Sequence, residues 1–180
     1  EGTLAYYVNP DVEVDMTSYA AGIKKIPNVG YHTSGEDWTN EAAKTLKGTF
    51  TDLQTTFVFK FEKSPDIVEK TDENTAIPDG YVTLTFKTDG NGKLAGKDEK
   101  VYYINPNAGI KLATENSGNE KILTVPAATP NDHYKFAGWN QNLDTTSPIT
   151  EDKEYVAQFE QKKQIKIFFD PNGGNWNGNT

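Results

Sequence analysis

Apolar residues in this chain come in short runs that alternate with polar ones, the period of two that turns one face of a β-strand toward a core. The clearest run is Tyr81-Val82-Thr83-Leu84-Thr85-Phe86, rich in β-branched and aromatic residues. Similar runs occupy 101–104, 134–139 and 154–159, and an aromatic alternation, Phe57-Val58-Phe59-Lys60-Phe61-Glu62, stands earlier. Ile165-Lys166-Ile167-Phe168-Phe169 predicts one more strand near the end. After the first run, Asp89-Gly90-Asn91-Gly92 offers residues that tolerate φ > 0, so the pattern predicts a hairpin returning through Leu94. Helical periodicity is scarce. Residues 39–46 predict one helix, with Thr39 as N-cap and Gly48 past its end, and the mixed segment 108–125 has room for another short one. The fold class that follows is α+β, mostly β.

The same landmarks recur in the same order, which points to an internal repeat. Gly2-Thr3-Leu4 followed by Tyr6-Tyr7-Val8-Asn9-Pro10 returns as Gly92-Lys93-Leu94 followed by Tyr102-Tyr103-Ile104-Asn105-Pro106. Ile23-Lys24-Lys25-Ile26-Pro27 returns as Ile122-Leu123-Thr124-Val125-Pro126, and Tyr31 with Trp38 returns as Tyr134 with Trp139. Each copy closes on an alternating strand, 57–62 in the first and 155–160 in the second. The strand 81–86 has no counterpart ahead of Tyr6, so the first copy is expected to lack its opening strand, and Ile165 begins a third. The parsing is therefore 1–63 for the first repeat, 64–80 for a Pro- and acid-containing linker, 81–161 for a complete repeat and 162–180 for the start of another. The linker is expected either to bend or to pack as an extended segment.

Composition narrows the function classes. The formal charge is −8, and all 18 basic residues are Lys. An acidic chain without the bidentate fork of Arg is poorly suited to phosphate backbones, so no nucleic-acid partner is expected. Nor is insertion into a membrane, because no apolar run is long enough to cross one. The absence of Cys removes disulfides, thiolate metal sites and cysteine nucleophiles together. Aromatic residues make up 12% of the chain, too many for a disordered segment.

Residues 126–159 resemble a family at this point. Pro126, Tyr134-Lys135-Phe136-Ala137-Gly138-Trp139 and the run from Ile149 to Phe159 are similar to the Gly-Tyr-x-Phe-x-Gly-Trp … Tyr-x-Ala-x-Phe signature of the internalin-type B-repeats. Phe168-Phe169-Asp170-Pro171-Asn172-Gly173-Gly174 resembles the opening of the related Listeria–Bacteroides repeat. Gly30-Tyr31 keeps the signature's Gly-Tyr, whereas His133 stands where the family has Gly. The resemblance implies tandem small β-grasp-like repeats, each a twisted sheet with at most one short helix. It also implies a secreted or cell-wall protein of Gram-positive type, with repeats serving as stalks or adhesion modules and no catalytic residue to carry over.

The repeated aromatics admit two readings. As a platform for sugar or peptide, the exposed member of each pair would serve, which nominates Tyr7, Tyr103 and Trp176 as ligand contacts, since neighbours on a strand face opposite ways. As core, Tyr31, Trp38, Phe57, Phe59, Phe61, Tyr134, Phe136, Trp139, Tyr155 and Phe159 would fill small sheets that lack aliphatic bulk. The core reading is favoured because divergent copies keep these rings. His32 and His133 offer one imidazole per repeat, too few for zinc. The turns at 89–93 and 170–174, and Asp11-Val12-Glu13-Val14-Asp15, carry oxygen ligands but complete no calcium loop, so no metal or cofactor is expected. A Lys–Asn isopeptide bond needs Lys, Asn and an acid buried together, which spacing cannot show. No nucleophile elbow or phosphate loop occurs, and units of about 80 residues rarely build a deep cleft, so the expectation is a non-enzyme. The functional expectation is a monomeric, extracellular stalk or spacer. The alternatives are a module that contacts host protein or glycan, or accessory repeats of a secreted enzyme.

Overall fold

The computed structural model describes residues 3–33, 38–39, 45–52, 54–115, 118, 121–170 and 172–174. The chain is mostly β. In chain order the elements are β1 (Val14–Asp15), α1 (Thr17–Gly22), β2 (Tyr31–Thr33), β3 (Lys47–Gly48), β4 (Phe61–Lys63), β5 (Ile67–Glu69) and β6 (Val82–Thr88). There follow β7 (Gly92–Leu94), β8 (Glu99–Ile104), β9 (Lys111–Ala113), β10 (Ile122–Thr124), β11 (Ala128–Pro130), β12 (Tyr134–Trp139) and β13 (Lys153–Gln161). They fall into two compact units built from interleaved segments: Glu1–Leu84, Val101–Val125 and Asp144–Lys153 in one, and Thr85–Lys100, Pro126–Leu143 and Glu154–Thr180 in the other.

In the first unit the opening residues of β6 neighbour β8, and β8 neighbours β5. β5 is antiparallel to β8 with Ile67 opposite Ile104 and Glu69 opposite Tyr102, so part of the expected linker packs as a strand. Small two-stranded sheets pair β1 with β3 and β2 with β4 antiparallel, and β9 with β10 in parallel. Leu84, Ile104 and Ile110 are fully buried, with Leu112, Leu123 and Ile149 close behind. Ile149 is tied in by its N–H, which donates to Ile110 O at 2.8 Å.

In the second unit the order is β12, β13, β6, and β11 pairs antiparallel with β7. Alternation is realised along β13, where Tyr155, Ala157 and Phe159 are buried between more exposed neighbours. Lys87 pairs with Glu154 at 2.7 Å, while Asp89 accepts the N–H of Phe159 at 2.9 Å, so β6 and β13 run in the same direction. β12 departs from simple alternation. A register shift between Phe136 and Gly138 inserts one extra residue, and Gly138 takes φ 127°. The bulge brings Phe136 and Trp139, an odd number of residues apart, to within 5.9 Å of each other. Phe86 stacks on Tyr155 at 5.5 Å and meets Trp139 edge-on, giving the unit an aromatic centre.

Several expectations from the sequence fail for identifiable reasons. The predicted hairpin from β6 into residues 92–94 does not form. β7 takes β11 as its partner, and a tight two-residue turn at Ala95-Gly96 leads on to β8, the neighbour of β6. Turn residues fix where a chain bends, not which strand receives it. Thr39, Thr45 and Leu46 are not helical: Thr39 bridges Val58, and Lys47 already pairs with Asp15, while residues 40–44 lie outside the described set. Among the described residues, segment 108–125 holds the strands β9 and β10 and no helix. The helix among the described residues is α1, which the periodicity does not predict, although Asp15 accepts the N–H of Thr17 at 2.9 Å just ahead of Tyr-Ala-Ala-Gly. Residues 165–169 form no strand, and Tyr6-Tyr7-Val8 lies outside any sheet.

Candidate functional site

The densest polar constellation in the first unit gathers where β4, β5 and the end of β8 meet. β8 stops at Asn105-Pro106, since proline cannot extend the ladder. The Asn105 side chain then accepts the N–H of Asn107 at 3.1 Å and donates to Asp66 Oδ1 at 3.0 Å, while its own N–H donates to Asp66 O at 2.9 Å. Asn105 is buried, and Gly30 lies over its amide. A Cβ at Gly30 would sit 2.6 Å from Asn105 Nδ2, and the residue holds φ +89°, so glycine is required twice over.

Asp66 is the charge centre. Lys121 Nζ donates to its Oδ2 at 2.9 Å, and Lys63 Nζ lies 3.5 Å from the same oxygen. The Lys121 hydrogen bond holds the Asp66 carboxyl below the usual carboxylate range against the opposing effect of burial, with Asn105 and the two lysine charges adding to the shift. Tyr81 donates to Pro65 O at 2.8 Å. Burial pushes its hydroxyl above the ordinary phenol value, and the negative charge of Asp66 pushes the same way. Ser64 is buried beside them, its Oγ 3.0 Å from His32 Nδ1, and His32 Nε2 lies 3.6 Å from Glu62 Oε2.

Two chemistries can be weighed against this geometry. Ser64, His32 and Glu62 follow one another as nucleophile, base and acid would, but Ser64 Oγ is enclosed and lies outside the lining of the nearby open hollow. Lys121, Asp66 and Asn105 supply the three groups an isopeptide bond requires. Here, however, the Lys121 side chain is half exposed, whereas an isopeptide bond needs the lysine buried with the asparagine and the acid. The cluster is a clasp that joins β5, β8 and the segment before β10. Next to it an open hollow of about 510 Å³ is lined by Lys111, Leu112, Glu115, Lys121, Ile122 and Thr145, among others.

The residues singled out from sequence land in different settings. Tyr7 is 99% exposed. Tyr103 is only 5% exposed and Tyr102 is buried too, so the expected split of one ring inward and one outward does not occur; β8 has a strand on each side and both of its faces are covered. Trp176 lies outside the described residues. Of the core set, Tyr155 and Phe159 are buried, and Trp38, Phe57, Phe59, Phe61, Tyr134 and Trp139 are half-buried. Tyr31 and Phe136 remain 47% and 40% exposed: β2 is a short strand paired to β4 alone, and β12 is the edge strand of its sheet, paired to β13 alone. Trp38, Phe59 and Phe61 form a chain of edge-on rings, with Lys25 Nζ 4.3 Å from the Phe59 centroid.

The acidic turns are occupied by their own backbone. Asp89 Oδ1 accepts the N–H of Asn91 and Oδ2 that of Phe159, and Asp170 Oδ1 accepts the N–H of Asn172, each at 2.9 Å. Asp15 is held below its usual range by the hydrogen bonds from Thr17, and Glu13 pairs with Lys47 at 3.8 Å. Among the described residues no group of three His, Asp or Glu side chains is placed to hold a metal ion. The constellation around Asp66 was missed from sequence, apart from the recurrence of Asn-Pro, which marks the turn but not its partner. No family model matches the chain, and no curated protein or solved structure matches it.

Proposed function

We propose that this chain is a repeat region of a bacterial surface or secreted protein, built of β-grasp-like units that act as a spacer. The observation that carries the reading is that matched sequence landmarks have matched local structure. Tyr31 stands opposite Lys63 on β2 and β4, and Tyr134 stands opposite Gln161 on β12 and β13. In both copies the turn before that tyrosine is closed by its N–H on an asparagine three residues back, Asn28 at 3.0 Å and Asn131 at 3.1 Å. The turn's third residue has positive φ in both, Gly30 and His133. The residue after the closing strand then donates back to it: Ser64 to Gly30 O and Lys162 to His133 O, at 2.8 and 2.7 Å. The Asn-Pro landmarks agree as well. Asn9 and Asn105 each accept, through the side chain, the N–H two residues on and, through the carbonyl, the N–H three residues on.

The β-grasp description is supported by the placing of β6 beside both β8 and β13, with β6 and β13 running the same way and β12 pairing β13 from outside. Small sheets whose described residues line an open hollow rather than a deep cleft suit a protein whose task is reach. A second reading, a module for host protein or glycan, rests on the full exposure of Tyr7. Small-angle scattering tests the spacer. A compact body of this length has a radius of gyration of about 16 Å, and a spacer must exceed it clearly. A compact value, or a saturable hit in a screen of glycans and matrix proteins that Tyr7→Ala abolishes, would remove the spacer in favour of the second reading.

A further inference from the structure

Two segments of the chain carry the sequence of a paired strand without being in one. Residues 4–8 correspond to β8 through Tyr6-Tyr7-Val8-Asn9-Pro10 and Tyr102-Tyr103-Ile104-Asn105-Pro106. In β8 the residues Tyr102, Tyr103 and Ile104 are all buried, whereas Tyr6 and Val8 are substantially exposed and Tyr7 wholly so. Residues 165–168 correspond to β6. The registration comes from the turn that follows, because Asp170 caps Asn172 as Asp89 caps Asn91, with the same donor, acceptor and 2.9 Å distance. That registration sets Ile165 on Leu84 and Ile167 on Phe86. Leu84 and Phe86 are fully buried, yet Ile165 is 86% and Ile167 74% exposed, with Phe168 beside them at 85%.

In the complete repeat, β6 and β8 are hydrogen-bonded neighbours, closed by Thr88 N–H donating to Asp98 O at 3.0 Å. The chain thus carries a second β6-like segment and a second β8-like segment, each with its apolar side chains in water. The spare segments are complementary to each other by the same rule that pairs β6 with β8. We propose that residues 165–168 of one molecule add as a strand to residues 4–8 of a second copy, so that the protein self-associates head to tail by β-augmentation. The partner is this chain itself, recognised through main-chain hydrogen bonds and the burial of Ile165 against Tyr6 and of Ile167 against Leu4, the register set by Thr88 on Asp98. The inference rests on the repeat registration set out above and not on the spacer role.

Because donor and acceptor are different surfaces, the contact is heterologous and propagates unless it closes into a ring or a reciprocal pair. The test is sedimentation of the full 180-residue chain from low to high micromolar concentration. Two variants accompany it, Ile167→Pro to disable the donor and Tyr6→Pro to disable the acceptor. Both positions lie outside existing strands, so proline removes a prospective ladder donor without breaking a formed one; unchanged tryptophan fluorescence confirms the fold. The expected result is a weight-average mass that climbs past twice the 20.0 kDa of the monomer for the unmodified chain. Each variant alone should stay monomeric. The two variants mixed should stop at two chains, since only one live donor and one live acceptor remain. Association that halts at two in the unmodified chain but is abolished by either proline supports the same pairing in its closed form. A chain that stays monomeric at every concentration, or that associates equally well with either proline, overturns the proposal. Scattering on Ile167→Pro tests the spacer separately.

Discussion

Replacing Gly92 by alanine puts a methyl group where the ring of Phe159 already lies. Gly92 is buried on β7, and a Cβ there would stand 2.3, 2.5 and 2.7 Å from three atoms of that ring. Carbon atoms rest about 3.5–4.0 Å apart, so the ring must retreat by roughly 1 Å. It has little room to do so, being 7% exposed and edge-on to Phe136 at 5.6 Å. Overpacking of this kind costs about 1–3 kcal/mol. At about 2–4 °C per kcal/mol for a chain of this length, Gly92→Ala should lower Tm by roughly 2–12 °C. Urea unfolding followed by tryptophan fluorescence measures the loss, and a double-mutant cycle assigns it. With Phe159→Ala already in place, itself worth about 3–5 kcal/mol, the added methyl meets open space and should cost under about 0.5 kcal/mol. If Gly92→Ala is neutral, or costs the same with and without the ring, close packing on Phe159 is not why glycine stands there.

Three further outcomes follow from local geometry. His133 holds φ 67° in a turn whose counterpart residue is Gly30; left-handed backbone costs a non-glycine about 1–2 kcal/mol and glycine's extra unfolded entropy returns about 0.4–1, so His133→Gly should stabilise by roughly 0.5–1 kcal/mol in urea melts. Ala95 and Gly96, at φ 45° and 85°, form a two-residue turn that favours Asn in its first place, so Ala95→Asn should raise the urea midpoint by an amount equivalent to about 0.5 kcal/mol. Asp66 is held below its ordinary value, so its clasp is at full strength above the unfolded carboxylate's pKa of about 4 and is lost as pH falls through the lowered native value. Asp66→Asn should therefore cost about 1 kcal/mol at neutral pH, given the half-exposed Lys121. It should also flatten the decline in stability below pH 4; an unchanged acid limb would refute the assignment.

What the sequence made legible was the position of strands whose side chains alternate. β13, and β6 within a residue, are where period-two patterning puts them, because one face of each lies on a core and that burial enforces the pattern, while β12 keeps its place although its bulge breaks the alternation. Pairing was not legible. β7 is a three-residue strand with glycine at its head, and nothing in Gly-Lys-Leu distinguishes β6 from β11 as its neighbour. Residues 165–169 show the converse: their pattern is as strand-like as that of β6, yet a strand also needs a partner ladder, which local sequence does not carry. The cluster around Asp66 was invisible because its members are 39 and 55 residues from Asp66 in the chain, and Asp, Asn and Lys are ordinary surface residues. The exposure of Phe136 follows from β12 lying at the edge of its sheet, a position its own sequence does not carry.

The interleaving of segments in both units governs how the chain can acquire its structure during synthesis. The first unit needs Ile149, whose amide reaches back to Ile110, and the second needs Phe159, whose amide reaches back 70 residues to Asp89. A ribosome releasing the chain from its N-terminus therefore delivers most of each unit before delivering the segment that locks it. Until then Leu84, Phe86 and Ile104 wait without cover. Contacts this distant in sequence make for slow closure, and they expose the nascent chain to capture by any free strand edge nearby.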